Sequence, residues 1–385
     1  MLALTNAKVL TVTNGVIENG TVLVEDGKIT AVGSDVVVPD GAQVVDATGK
    51  WVTPGLIDAH SHMTVKGEPA WGGSVSDITE ITSPITPGVR AMDAVNPHDW
   101  SVPLVRAAGF TTVAVLPGSG NLISGQTAVF KLKEAATVLD LLVEDAPVQI
   151  KFAFGENPKR IHGQQQKHAP LTRLGNALMV REFLAKAVEY SDALAAAERG
   201  DGARPARDLH LEALVPVVRG ERTCRIHSHR ADDIVTATRV AEEFGLRYII
   251  DHATEAWKIS DYLKEKDVTC IVGPMNMELD KQEVWERRID QPALLEAAGI
   301  TFCLTQDARS GTRFLPAFVG IAIAHGLSFE TALRAVTINP ATVLGIDHRT
   351  GSIEVGKDAD LAVFSGNPFN SMSKCEHTII EGVLY

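Results

Sequence analysis

Eight short runs of apolar and β-branched residues recur through the middle of this chain: GLIDAHSH, FTTVAVLPG, TAVFKLK, VQIKFAFG, TCRIHSH, RYIIDH, VTCIVGP and TFCLTQD. Several are followed by helical periodicity. Residues 175–199 carry Leu178, Met179, Phe183, Leu184, Ala187, Val188 and Leu194 on one helical face. After TCRIHSH, Asp232 and Asp233 supply a cap and first turn ahead of Ile234, Val235, Thr238, Ala241 and Phe244. Ser328 reads as the N-cap of a helix running through Ala335. Strands alternating with helices confine the chain to an α/β architecture with a parallel sheet. They predict a (β/α)₈ barrel over residues 53–349, with a doubly wound sheet as the alternative.

The two ends are written differently. Residues 1–52 are short β-segments punctuated by Asn14-Gly15 and the hairpin signal Asp26-Gly27, and residues 350–385 repeat that style with turns at Gly356 and Gly366 and a last hairpin at Glu381-Gly382. Two β-only ends around a mixed middle predict one small β-sandwich domain assembled from both. A chain of 385 residues also exceeds the roughly 250–300 at which one core stops growing, as a large unit with a small appendage requires.

Composition sets limits on function. With 45% hydrophobic and 22% charged residues the chain is of ordinary globular type. A net charge of −12 disfavours a nucleic-acid backbone as partner. Cys224, Cys270, Cys303 and Cys375 are scattered, without the spacing of a zinc finger or a disulfide framework. The first residues lack the basic stretch of a signal peptide, and no run of about 18 apolar residues occurs. The expectation is a soluble cytoplasmic protein with a small-molecule substrate, its self-association left open.

The chemistry gathers where apolar strands stop. His60 and His62, two apart, leave the end of the first strand on one face. Neutral imidazoles are the commonest metal ligands, and the C-terminal end of a barrel strand is where such folds keep their active sites. His227 and His229 end the fifth run, His252 the sixth and Asp307 the eighth. Polar groups placed repeatedly at strand ends are costly to bury singly, and one bound dication explains them together. Spacing does not choose between His227 and His229, which share a face.

PGLIDAHSHM, with Gly55 and Asp58 around the paired histidines, resembles the signature of the amidohydrolase superfamily, and GSIEVGKDADLAVF and TINPATVLGI are similar to its closing segments. More narrowly, GSGNLISGQ, FGENPKR and IHSHRADDI resemble the imidazolonepropionase-related branch. The resemblance implies that His60, His62, His227 and His252 are metal ligands. It further implies that Asp307 both touches metal and shuttles the proton, and that His229 faces substrate. For a site of two ions, Glu156 is the expected bridge, with a carboxylated Lys151 as the alternative. The chain departs from its branch after Asp307, where Ala308, Arg309 and Ser310 stand in place of the histidine and proline usual there. Histidine and carboxylate ligands suit zinc, one ion or two, with manganese, iron and nickel also able to bind such a set.

Three further groups are candidates for substrate contact. The glycine loop Gly118-Ser119-Gly120-Asn121 could cradle an anionic or tetrahedral group, and Arg160 and Arg230 could fork onto a carboxylate. His162 and His168 lie in a polar loop and are expected to be exposed. The implied reaction is hydrolysis of an amide-like C–N bond by an activated water, with Asp307 as base then acid and His229 or an arginine steadying the oxyanion. The rivals are a prolidase-like dipeptidase and a non-catalytic scaffold of the same fold.

Overall fold

The computed structural model describes residues 1–68, 76–275, 279 and 281–385. Five strands come first: β1 (Leu2–Leu10), β2 (Val16–Glu25), β3 (Lys28–Gly33), β4 (Gln43–Asp46) and β5 (Trp51–Pro54). The middle of the chain supplies β6 (Leu56–Ser61), β7 (Phe110–Val115), β8 (Ile123–Gln126), β9 (Ala128–Lys131), β10 (Ile150–Ala153), β11 (Thr223–Ser228), β12 (Arg247–His252), β13 (Cys270–Val272) and β14 (Phe302–Leu304). The end adds β15 (Leu361–Phe364), β16 (Cys375–Ile380) and β17 (Val383–Leu384).

Among the described residues, the strands of both chain ends form one sheet in the order β17-β16-β15-β5-β1-β2-β3, with β4 also on β1. The strands expected to form a small sandwich are thus joined in a single hydrogen-bonded sheet. Its first strand explains how: Leu2–Thr5 pair with β4, while Lys8 and Val9 pair with β5. The register slips between these halves, where Asn6 takes a left-handed φ of 59°. Asp26 and Gly27, both with positive φ, make the tight turn from β2 to β3, and Glu381-Gly382 does the same between β16 and β17. Leu4, Val9, Val22, Ile29, Val52, Leu361 and Ile379 pack into the sheet's own core.

The middle strands make two sheets. In one, β10 to β14 run parallel as neighbours; in the other, β6 and β7 run parallel. The third apolar run corrects the expectation of uniformly parallel strands. β8 lies antiparallel on β10 and β9 antiparallel on β7, with only Thr127 between them, so one stretch of chain pairs with both sheets. Only residues 116–122 separate β7 from β8, and a parallel crossover needs about a dozen or more. At the other seam, Thr305 just past β14 places its hydroxyl 2.7 Å from the His60 carbonyl and 2.6 Å from Asp58 Oδ1.

Helices pack outside these strands. Thr172 caps the helix Arg173–Arg199 by accepting the Gly175 N–H, and Gly200 ends it at φ 81°. Its buried residues are Asn176, Val180, Leu184, Ala187, Tyr190 and Ser191. Leu178, expected on that face, is exposed because two residues turn a helix about 200° away from Asn176. Ser328 does cap the helix Phe329–Ala335, accepting the Thr331 N–H at 3.1 Å. No helix of the described residues is long and apolar enough to cross a membrane.

Candidate metal centre

The histidines are oriented from behind. Nδ1 of His62 meets the Leu116 carbonyl at 2.8 Å, and Nδ1 of His252 meets the Gly273 carbonyl at 2.8 Å. Nδ1 of His60 lies 3.0 Å from Asp251 Oδ2, within ion-pair reach though off the line of a good hydrogen bond. A neutral imidazole has one N–H, and a carbonyl can only accept it, so each ring turns its Nε2 lone pair inward. Backbone strain accompanies this placement. His252 and Asp307 have φ of 74° and 49°, conformations that cost a non-glycine residue about 1–3 kcal/mol and cluster at functional sites.

His62 Nε2 faces another acceptor, and so in part does His60 Nε2, which also meets Lys151 Nζ at 3.3 Å. Asp307 Oδ1 lies 3.1 Å from His62 Nε2 and 3.6 Å from His60 Nε2, and among the described residues no hydrogen-bond donor reaches it. Both ring nitrogens of buried His227 likewise lack a hydrogen-bond partner among the described residues. The nitrogens of His227, His229 and His252 lie within 4.8 Å of one another, as do the ligand atoms of His60, His62 and Asp307. Burial, then the Lys151 charge, lowers the His60 pKa to about 4, and burial holds His227, His229 and His252 well below the ordinary range. Burial opposes charge on Asp307, but His62, His60 and His252 outweigh it and keep the carboxylate ionised. Neutral imidazoles around a carboxylate are the form a divalent cation binds, and a cation between facing acceptors removes the orphaned contacts.

The paired histidines of β11 differ. His229 is hydrogen-bonded at both ends, Nδ1 with Thr254 Oγ1 at 2.7 Å and Nε2 with Lys281 Nζ at 3.0 Å, whereas among the described residues His227 is hydrogen-bonded at neither. Lys151, on β10, is fully buried and sets Nζ 3.3 Å from His60 Nε2 and 3.1 Å from Asp251 Oδ2.

Several expected contacts lie elsewhere. Glu156 lines the pocket, but its carboxylate accepts the Glu283 N–H at 3.3 Å and belongs to neither group of ligand atoms. The reason is Gly155, whose φ of 96° turns the chain away after β10. Asn121 is wholly buried, spending its amide on the Glu80 carbonyl, Thr86 Oγ1 and His162 Nε2. That contact also buries His162, which was expected at the surface; His168 is exposed. In the glycine loop the Gly118 N–H is taken by the Ile78 carbonyl. Arg230 precedes the helix Ala231–Glu243 and pairs with Asp232, its own near neighbour. Arg160 does line the pocket, a cavity of about 540 Å³ shared with His62, His227, His229 and Asp307. Lys281 and Arg287 join it unforeseen, with Glu283 buried 3.7 Å from His229 Nε2, all from a charged stretch, KQEVWERR, that has no clear period to flag it.

Comparison with known proteins fits this arrangement. A model of the amidohydrolase family (Amidohydro_3) matches residues 275–385. A solved amidohydrolase from Thermotoga maritima MSB8 is 38% identical, covers 100% of this chain and 99% of its own, and superposes with a TM-score of 0.95. The imidazolonepropionase of Mesorhizobium japonicum is 26% identical over 93% of this chain and 90% of its own. Amidohydrolase tasK of Hapsidospora irregularis is 29% identical over 91% of this chain, which spans only 38% of that longer protein. A prolidase solved with N-methylphosphonate-L-proline, 18% identical with a TM-score of 0.62, shares the fold. The chain belongs to the amidohydrolase family. Its relatives mark it as a hydrolase acting on C–N bonds, and the curated ones it resembles include imidazolonepropionases.

Proposed function

We propose that this chain is a metal-dependent amidohydrolase that cleaves an amide or cyclic amide of a small molecule, with His60, His62, His227, His252 and Asp307 as the residues that hold its divalent metal. The observation carrying this reading is that Asp307 Oδ1 faces the inward nitrogens of His62 and His60 and, among the described residues, receives no hydrogen bond. Zinc suits the donor set, as one ion or two. Bound there, a divalent ion would lower the pKa of a water and polarise the carbonyl to be attacked. Asp307 is placed to take the proton of the attacking water and deliver it to the leaving nitrogen. His229, beside the pocket and backed by the Lys281 ammonium, contacts the substrate.

Lys151 replaces Glu156 as the preferred bridge. It stands beside His60 Nε2, and as an ammonium it would repel any nearby dication. Reaction of the neutral amine with carbon dioxide, releasing a proton, converts it to an anionic carbamate of the opposite electrostatic sense.

The two inner sheets read as one closed (β/α)₈ barrel over residues 53–349, and the terminal sheet as a small domain of residues 1–52 and 350–385. The β8–β9 stretch shared by both sheets and the Thr305 hydroxyl at the other seam support closure. The test is to measure metal per chain and then assay metal-replete and chelated protein against cyclic amides, N-acyl amino acids and dipeptides. Metal-dependent release of an amine is expected. Absence of bound metal together with no turnover would leave a scaffold of the same fold, and release from dipeptides alone would make it a dipeptidase.

A further inference from the structure

The loop after β13 brings a second set of charges to the pocket. Glu283 is buried, with Oε1 2.8 Å from Lys281 Nζ and 3.7 Å from Nε2 of both His227 and His229. Its other oxygen accepts the Glu156 N–H at 2.9 Å, while Glu156 accepts the Glu283 N–H in return. This clasp joins the loops that follow β10 and β13. Gly155 permits it, since a Cβ there would come within 2.6 Å of Glu283 Oε2. The consequence is a lysine fixed by a buried carboxylate and aimed at His229.

The lining is cationic in a chain of net charge −12: Lys66, Arg160, Lys281 and Arg287 stand against Glu156 and Asp307. Glu156 is spent on the clasp, and Asp307 faces the histidines. An ammonium has three N–H donors, and among the described residues Lys281 meets Glu283 and His229. We infer that Lys281 is the specificity-determining residue, taking a carboxylate of the substrate close to the bond that is cut, and that Glu283 is the positioning residue that holds it there. This rests on the reading of the pocket as the site of C–N hydrolysis.

Binding to the metal-loaded protein separates the two ideas. Calorimetry would compare N-acetyl-L-alanine with N-acetyl-L-alaninamide, placing the charge on the amine half, and N-methylsuccinamate with its neutral diamide, placing it on the acyl half. In one pair at least, the charged member should bind about 10-fold tighter, as a charge-assisted hydrogen bond allows. Lys281→Met should reduce that preference to about 2-fold or less and Lys281→Arg should keep most of it. Glu283→Gln should weaken it at unchanged metal content; if that variant fails to fold, Lys281→Met decides. Equal or undetectable binding of charged and neutral members in the parent protein, or a preference that survives Lys281→Met, overturns the inference. Hydrolysis is scored apart: charge preference without turnover of any amide would retain the carboxylate site and sink the hydrolase reading, and turnover without charge preference would do the reverse.

Discussion

Asp251 stands directly behind His60, its Oδ2 3.0 Å from the imidazole Nδ1, and both side chains are buried. Burial alone would push the Asp251 carboxyl up, but Arg225, Lys151 and His60 together hold it well below the usual range. Arg225 is itself wholly buried, fixed by Asp251 Oδ1, Gln149 Oε1 and the Ala59 carbonyl. An ionised carboxylate at Nδ1 sets which nitrogen His60 turns inward and, in the proposed metal site, would raise its basicity as a ligand. Such outer partners are typically worth 10–100-fold in metal affinity.

Asp251→Asn should accordingly weaken metal binding by about 10–100-fold, measured by competition with a chromogenic chelator, and excess metal should restore turnover. Loss of the carboxylate also leaves Arg225 and Lys151 uncompensated, so a stability loss of roughly 3–5 kcal/mol is expected by denaturant unfolding. A folded variant with unchanged metal affinity would show that Asp251 only balances charge.

The paired histidines of β11 should separate under mutation. His227→Asn removes a ring with neither nitrogen hydrogen-bonded among the described residues and should lower metal content. His229→Asn removes a ring already held by Thr254 and Lys281 and should keep metal while cutting turnover. Elemental analysis beside steady-state rates distinguishes them, and the reverse pattern would exchange their roles.

Lys151 and Glu156 make opposite predictions. If Lys151 is the carbamate bridge, reconstitution of metal-free protein should depend on added bicarbonate, and Lys151→Ala should lose one of two metal equivalents. Glu156→Gln should then retain both, because its carboxylate serves the Glu283 backbone. Full metal in Lys151→Ala with half in Glu156→Gln would return the role to Glu156.

Much of this arrangement was legible because it is local. A strand that ends in His-x-His or Asp carries its own geometry, and Asp26-Gly27 and Ser328 announce a turn and a cap through their side-chain and backbone preferences. The reversed β8–β9 stretch is readable too, from a connection too short for a helical crossover. Glu283 was not, because its burial depends on the Glu156 N–H, 127 residues away, and no pattern within KQEVWERR encodes that contact. Asn121 and Arg230 failed for a related reason: residue type marked them as able to bind a ligand, but partners in the fold, Thr86 and His162 for one and Asp232 for the other, had taken their groups.

The terminal sheet is tied to the inner strands by charge, and that tie should titrate. Asp358 meets Lys28 at 2.6 Å, Arg349 at 2.9 Å and Lys131 of β9 at 3.5 Å, and Lys131 also pairs with Asp360. Burial would raise the Asp358 pKa, but Lys28, Lys131 and Arg349 together lower it below the ordinary carboxylate value of 3.8. A carboxyl whose folded pKa is depressed binds its proton less readily in the folded than in the unfolded chain. Its stabilisation is therefore full above about pH 4 and is lost as pH falls through the lower, folded value. Asp358→Asn removes the charge and leaves buried Lys131 with less compensation, so at pH 7 the variant should be less stable by roughly 3 kcal/mol. Thermal unfolding of parent and variant at pH 7, 5, 4 and 3 should show a constant gap in the first three and a narrowing one at the last. A gap that persists undiminished at the lowest pH would mean that Asp358 acts through hydrogen bonds its amide cannot replace, not through its charge.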